Sequence, residues 1–203
     1  MAARFVSPPT KQELLAARGR PVADVIAPDL TVLFCGINPG LYSGAVGRHF
    51  ARPGNRFWAA LFAAGLTERL LTPYDEGLLL EYGYGITNIV NRATAQASEL
   101  SIDELREGAR ELEKKAVAFR PENVAVLGIG AYGKAFRRPR ARLGRQPEKI
   151  GGAALWVLPN PSGINASYQM ADLVRLFSEL RPDAALPGRT QLREDMRGKE
   201  PVA

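Results

Sequence analysis

The sequence predicts an α/β protein, a three-layer α/β/α sandwich around a central, mostly parallel sheet of four to five strands. Short apolar runs that end in glycine or a polar loop indicate strands buried on both faces. Segments with helical spacing of apolar residues separate these runs, and such alternation is typical of a parallel sheet. The chain has 203 residues, 46% of them hydrophobic, which is enough for one domain with a sizeable core.

The strands are predicted from four short, mainly apolar runs, at residues 31–35, 85–90, 123–127 and 155–158. The glycine-rich stretch after the first run and the basic stretch before the last are both predicted as loops. In sheets of this kind, ligands bind beyond the carboxyl ends of the strands. The segments that follow the four runs are therefore the first places to look for a site.

Four helices are predicted between and around these strands. A short one is expected near residues 12–18, and Asn55 can cap a second, whose apolar residues start at Phe57. Ser101 and Glu104 form a capping box ahead of a charged amphipathic helix that reaches about residue 120. The last helix is predicted over residues 166–180.

Composition divides the chain into three parts. Residues 1–23, broken by proline and glycine, are predicted to be an N-terminal extension. Residues 24–181 hold all the predicted strands and are predicted to form the folded domain. Residues 182–203 are polar and are predicted to be a flexible C-terminal tail.

The start of the chain lacks the apolar core of a secretory signal, and no apolar stretch approaches the length of a membrane span. The single cysteine, Cys35, lies in an apolar run and is expected to be a buried thiol. We therefore expect a cytoplasmic monomer, associated with the nucleoid if the source is bacterial, with no membrane partner. With one histidine and one cysteine, neither a zinc nor an iron–sulfur site is expected, and no cofactor is predicted.

Positive charge is concentrated in one stretch. The formal net charge is +6 and the sequence pI is near 9.7. Glu148 is the only acidic residue between residues 134 and 149. The cationic residues of this stretch are Lys134, Arg137, Arg138, Arg140, Arg142, Arg145 and Lys149. Such a patch suits a polyanion, because neutralised phosphates release condensed counterions. A solvated basic loop on a protein that binds no nucleic acid is the alternative interpretation.

The third strand is followed by Gly128-Ile-Gly-Ala-Tyr-Gly133, which matches the GxGxxG dinucleotide fingerprint. That fingerprint normally belongs to the first βαβ unit, and an acid about 20 residues later should close the next strand. Here the motif comes late, and the acid near that spacing, Glu148, lies in the basic stretch. Close packing of a helix on the sheet explains the glycines more simply.

Two asparagine–proline turns follow the first and last strands. Gly36-Ile37-Asn38-Pro39-Gly40 follows one, and Asn160-Pro161-Ser162-Gly163 follows the other. Proline fixes the backbone and glycine lets it pass close to a ligand, so each turn can aim an amide into the crevice. Either turn alone is also explained as a structural Asx turn. Together at one edge of one sheet, they indicate a site for a polar ligand.

These two motifs resemble the signature motifs of the mismatch-specific uracil (thymine) DNA glycosylases, a family of the uracil-DNA glycosylase superfamily. The similarity extends to Arg52-Pro-Gly-Asn-Arg-Phe-Trp58, Gly85-Ile-Thr-Asn-Ile-Val90 and the stretch from Trp156 to Ser162. It covers roughly residues 24–181. The resemblance implies an enzyme that flips a base out of double-stranded DNA and hydrolyses its N-glycosidic bond, leaving an abasic site.

The resemblance also assigns roles to matched residues. Asn38 corresponds to the catalytic asparagine that positions the attacking water, and Phe50 to the aromatic residue that stacks on the flipped base. The base pocket is implied at Gly36, Ile37, Phe50, Asn88 and Asn160. The wedge that fills the vacated stack and meets the opposing guanine is implied at Ser162, Gly163, Ile164 and Asn165. Contacts to the DNA backbone are expected from Arg56, Lys134, Arg137 and Arg138.

We therefore predict a monofunctional glycosylase for uracil opposite guanine in double-stranded DNA, with thymine in a G·T pair or ethenocytosine as further candidate substrates. A catalytically weak binder of mismatched or damaged DNA is one alternative. A dinucleotide-cofactor enzyme that uses Gly128–Gly133 is another. His49 adjoins Phe50 and is interpreted as a bystander, with a DNA contact as the alternative.

Overall fold

A five-stranded sheet forms the centre of the protein in the computed structural model, which describes residues 7–163 and 167–181. Its strands are β1 (Val32–Gly36), β2 (Tyr84–Asn88), β3 (Asn123–Leu127), β4 (Gly144–Ile150) and β5 (Ala153–Leu158). They lie in the order β2-β1-β3-β5-β4. Four strands are mutually parallel, whereas β4 runs antiparallel to β5 at one edge. The four predicted strands are confirmed.

Helices connect the strands and are α1 (Lys11–Ala16), α2 (Leu41–Val46), α3 (Phe57–Ala63), α4 (Ile102–Phe119), α5 (Ile129–Ala135) and α6 (Met170–Ser178). Two 3₁₀ segments, Pro73–Tyr82 and Ala97–Glu99, complete the connections. The predicted capping box is present, because Ser101 and Glu104 exchange hydrogen bonds at the start of α4. In the described ranges, no helix has both the length and the apolar character needed to cross a membrane.

The core lies on both faces of the sheet. Phe34 of β1 packs on one face against Phe57 of α3 and Phe177 of α6, with ring centroids 5.4 and 5.8 Å apart. Its neighbour Leu33 points to the other face, where α4 and α5 contribute Leu112 and Tyr132. Because successive side chains of a strand alternate, helices must cover both faces. The predicted three-layer α/β/α sandwich is confirmed.

The fifth strand corrects the prediction of a basic loop before β5. Only the two end residues of β4 are buried, its interior alternates between exposed and half-buried positions, and Pro147 stands at its middle. An edge strand tolerates proline and charged residues, because one of its two edges forms no hydrogen bonds to a further strand. Its pairing with β5 is irregular between Arg145 and Lys149. Gly151 and Gly152, both with positive φ, close the hairpin to β5. This glycine pair is the sequence signal for a tight hairpin.

A second correction concerns the glycine-rich stretch after β1, which contains α2 rather than a continuous loop. Gly44 lies inside this helix, where a Cβ would stand 2.6 Å from the Cβ of Ala93. The glycine therefore permits close packing instead of breaking the helix. The last helix begins at Met170, later than predicted. Residue 166 and the predicted tail at 182–203 lie outside the described residues.

Residues of the predicted N-terminal extension pack against the rest of the fold. Ala17 and Val22 are buried, and Gly19 donates a backbone hydrogen bond to the carbonyl of Ala93. Val25 forms an antiparallel bridge with Ile86 of β2. Part of the predicted N-terminal extension thus lies against the segment that follows β2, and Val25, just after the extension, pairs with β2 itself.

The single thiol supports a prediction that tests this packing. Cys35 is completely buried in β1, and burial raises the pKa of its thiol far above the ordinary value. Because the thiolate is the reactive form, native protein should resist a maleimide or iodoacetamide for as long as it stays folded. Mass spectrometry should show one adduct only after denaturant is added. Rapid alkylation of native protein would contradict the buried position.

Candidate active site

A cavity of about 620 Å³ opens at the carboxyl edge of the parallel strands. All four strand ends contribute to it, as expected for this class of sheet. Its lining includes residues predicted from the sequence, namely Gly36, Ile37, Asn38, Phe50, Asn88, Asn160 and Ser162. The structure therefore brings together the two asparagine–proline turns and the predicted base-pocket residues.

The amide of Asn38 has a defined orientation. Its Nδ2 lies 3.0 Å from the carbonyl oxygens of Pro39 and Arg92, and 2.8 Å from Oγ1 of Thr94. Because a carbonyl oxygen only accepts hydrogen bonds, the nitrogen must face these groups. The oxygen Oδ1 is then the group that Asn38 offers to the cavity. It can accept a hydrogen bond from a water or a ligand.

The groups that hold Asn38 are themselves fixed. Thr94 is buried and donates its hydroxyl hydrogen to the carbonyl of Gln96, so its oxygen is left to accept from Asn38. Arg92 forms a two-pronged ion pair with Glu104, with Nε–Oε1 and Nη2–Oε2 distances of 2.5 and 3.1 Å. Hydrogen bonds from Arg92 and from the Ser101 backbone lower the pKa of Glu104 to about 2. This pair fixes the segment whose carbonyl orients the Asn38 amide.

Phe50 forms an aromatic wall of the cavity. Its ring stacks on Phe57, with centroids 4.1 Å apart and an angle of 26° between the planes. The backbone at Phe50 has a φ of 51°, a left-handed conformation that is strained for an aromatic residue. Two hydrogen bonds hold this turn, from the backbone N–H of His49 to Glu76 and from that of Ala51 to Ser43. These contacts hold the ring against Phe57.

Gly36 and Asn88 form the floor beneath this ring. A Cβ on Gly36 would stand 2.5 Å from Oδ1 of Asn88 and 3.3 Å from the Phe50 ring. Glycine is therefore required here to leave room between strand end and ring. At the end of β3, Gly128 has a φ of 140° and packs on the side chain of Ile37. This contact explains the first glycine of the GxGxxG motif by packing.

The second motif is joined to the start of α3. The oxygen of Asn160 accepts a hydrogen bond from the N–H of Ser162, which makes this turn an Asx turn. Arg56 donates to the carbonyls of Pro161, Ser162 and Tyr168 at 3.4, 3.0 and 2.6 Å. Gly163 packs on the Gly54 backbone, while the predicted wedge residues Ile164 and Asn165 lie outside the described ranges.

The other three residues that are predicted to contact the DNA backbone lie away from this cavity. Lys134, Arg137 and Arg138 are exposed near the end of α5, and they do not line the 620 Å³ cavity. Arg138 is paired with Glu148 at 2.7 Å. A second cavity, of about 660 Å³, lies beside β4 and is lined by five arginines, Arg137, Arg138, Arg140, Arg142 and Arg145. The basic stretch is thus an open, positively charged surface.

Several lining residues were not predicted, chiefly Arg52, His49, Thr94 and Gln96. Arg52 stands in the Arg52–Trp58 stretch, which was a usable signal. Thr94 and His49 gave no such signal, because the hydrogen bonds that link them to Asn38 and Asn88 join residues far apart in the sequence. Glu99, next to the lining residue Ser98, forms an ion pair with Arg18.

The arrangement suits one kind of chemistry. Within the described residues no carboxylate lines the cavity, so a strong general base is absent from its walls. An aromatic wall, two amide oxygens and glycine-bounded space fit a flat heterocycle with polar edges. The Asn38 oxygen can orient a water beside it. We infer a hydrolytic site that depends on positioning and on a good leaving group.

Comparison with known proteins supports this interpretation. Residues 23–184 match the sequence model of the uracil DNA glycosylase superfamily. The fold is similar to the solution NMR structure of a protein from Methanosarcina acetivorans that is provisionally described as a uracil DNA glycosylase. The TM-score is 0.51 at 20% sequence identity, over 80% of this chain and 98% of that one.

Proposed function

Because this chain belongs to the uracil DNA glycosylase superfamily, we propose that it excises uracil mispaired with guanine from double-stranded DNA. Membership makes the chain a DNA glycosylase, which hydrolyses an N-glycosidic bond in DNA. The finer proposal is a monofunctional, mismatch-directed enzyme that leaves an abasic site. Its main support is the cavity in which the Asn38 oxygen, the Phe50 ring and the Asn88 amide meet.

The target base must leave the DNA double helix to reach this cavity, because the carboxyl edge of the protein's sheet cannot enter between stacked base pairs. Flipping a base costs a few kcal/mol, and least for a mispaired one. Stacking on the Phe50 ring would return about 1–3 kcal/mol. We assign the wedge that fills the vacated position to Ile164 and the residues around it, as the resemblance implies.

In the proposed reaction the bond between C1′ and the base nitrogen N1 breaks, and its electron pair leaves with the base as an anion. Backbone N–H groups of the Gly36–Gly40 loop would stabilise that charge. Water held by the Asn38 oxygen attacks C1′, forms the new C–O bond and loses its proton to solvent. An amide orients water without taking its proton, so we expect a slow enzyme.

Contacts to the DNA backbone are proposed for the arginine-lined surface beside β4 and for Arg52 at the cavity. Arg56 contributes differently, since its guanidinium already donates to three carbonyls of the second motif. We propose that it supports the wedge segment rather than a phosphate.

Base release from matched oligonucleotides tests the proposal. We expect release from a G·U duplex to be faster than from A·U, because mispairing lowers the cost of flipping. Release from single-stranded uracil should also be slower, because a single strand has no opposing guanine for the proposed wedge to contact. G·T and G·ethenocytosine duplexes define how far the pocket tolerates added bulk. Abasic product is measured by alkaline cleavage. Mismatch binding without any abasic product would contradict a glycosylase function and support a damage-binding protein.

A further inference from the structure

His49 is buried beside the cavity, and its ring has two defined neighbours. Only 2% of the residue is exposed. Its Nε2 lies 2.9 Å from the carbonyl oxygen of Ala23, which can only accept, so this nitrogen carries a proton. Burial lowers the pKa of His49 below its ordinary value, so the ring is neutral at neutral pH. The other nitrogen, Nδ1, is therefore a hydrogen-bond acceptor.

This tautomer dictates how the Asn88 amide is turned. Nδ2 of Asn88 lies 3.3 Å from Nδ1 of His49. Because Nδ1 accepts, the amide nitrogen must face it, and the amide oxygen points the other way. That oxygen lies on the cavity floor, 2.5 Å from the place of a Cβ on Gly36 and beneath the ring of Phe50. The buried histidine thus leaves an acceptor facing the proposed base.

We propose that His49 is a positioning residue that sets base selectivity by holding the Asn88 oxygen toward the flipped base. An acceptor at this place suits uracil and thymine, which carry a ring N–H donor at N3. Cytosine has a bare nitrogen acceptor there and would face the Asn88 oxygen without a hydrogen between them. Sites built to pair one polar group reject a ligand that leaves it unpaired. This inference rests on the proposed base excision.

The surroundings of His49 show what protonation would do. Charged groups around it are Glu76, which accepts from its backbone N–H, the Arg48 partner of Glu76, and the Asp24–Lys115 pair. An imidazolium would present an N–H to the Asn88 nitrogen and so turn the amide around. Because the pKa of His49 is lowered in the folded protein, uracil selectivity should persist below pH 6.5 and weaken only in more acidic solution.

The tautomer is directly measurable because the chain contains a single histidine. Nitrogen-15 labelling of histidine in the full chain gives one imidazole to observe by NMR. We expect the proton on Nε2, and a pKa below the ordinary value. A proton on Nδ1, or an imidazolium at neutral pH, would overturn the proposal without any activity measurement.

Two substitutions then separate positioning from simple structural support. His49→Gln keeps a donor that can reach the Ala23 carbonyl but loses the acceptor for Asn88. His49→Asn keeps an acceptor near the Nδ1 position and loses the Ala23 contact. Single-turnover release is compared for uracil and for 3-deazauracil, in which a C–H replaces the N3–H. The change of this ratio between variants cancels the intrinsic difference between the two leaving groups.

We expect the wild type to prefer uracil, with His49→Gln reducing that preference about tenfold or more and His49→Asn largely retaining it. Equal slowing of both bases in both variants would show a merely structural role and overturn the inference. If the wild type releases no uracil at all, the proposed function fails, whereas the NMR tautomer still decides the His49–Asn88 geometry.

Discussion

Replacing Asn38 by alanine should nearly abolish uracil release from a G·U duplex, with a fall of about two to three orders of magnitude or more. The substitution removes the Oδ1 acceptor that faces the cavity and would hold the attacking water. Removal of a single group aimed at the reacting atoms typically has an effect of this size. Single-turnover rates on excess enzyme measure it, because they exclude slow release of the abasic product.

DNA binding and folding should survive this change. Asn38 lies in a loop after β1, and its amide contacts only neighbouring loop groups. Asn91→Ala is a matched control, since Asn91 accepts a hydrogen bond from the Val22 N–H and does not line the cavity. We expect the control to keep its rate of base release. Undiminished turnover by Asn38→Ala would overturn the assigned role.

Gly108→Ala should strongly destabilise the protein. Gly108 lies in α4 where the helix crosses the end of β2, and a Cβ there would stand 2.0 Å from the carbonyl oxygen of Ile89. A backbone atom cannot turn away as a side chain can. We expect a loss of about 2–4 kcal/mol in the free energy of unfolding, despite the better helix propensity of alanine. Calorimetry should show Tm lower by roughly 5–15 °C.

Gly130→Ala is the matched control for this substitution. Gly130 is also a helical glycine, in α5, but nothing lies within 4 Å of its Cβ position. Alanine there should be neutral or stabilise by about 0.5–1 kcal/mol.

Gly108→Ala should also slow base release, because Ile89 follows Asn88 and its N–H donates to the Gly36 carbonyl. Equal melting temperatures for both variants would contradict the close helix–strand contact.

The sheet was largely predictable because its central strands are buried on both faces. Runs such as 31–35 and 123–127 are apolar at every position after the first, a pattern typical of strands covered on both faces. The edge strand β4 escaped prediction for the opposite reason. One side of β4 faces solvent, so arginine, glutamate and Pro147 cost little stability there. These residues interrupt the apolar pattern by which a strand is predicted.

The residues of the site likewise fall into a predictable group and an unpredictable group. Asn38 and Asn160 were predictable because each stands in a turn directly after a strand, where the fold class places ligands. Thr94 and His49 were not, because their importance comes from hydrogen bonds across 56 and 39 residues of sequence. Only the folded chain makes these pairs neighbours. The interpretation of His49 as a bystander accordingly overlooked its contact with Asn88.

The carbonyl contacts of Arg56 have a practical consequence for protein engineering. One guanidinium holds the carbonyl of Ser162, the first residue of the proposed wedge, and that of Tyr168 beyond its end. Both ends of the intervening stretch are therefore tethered to a single residue, directly before α3. A designer could exchange the residues between these ends as a cassette while leaving Asn38, Phe50 and Asn88 untouched. Preference for the partner base and chemistry on the excised base could then be tuned independently.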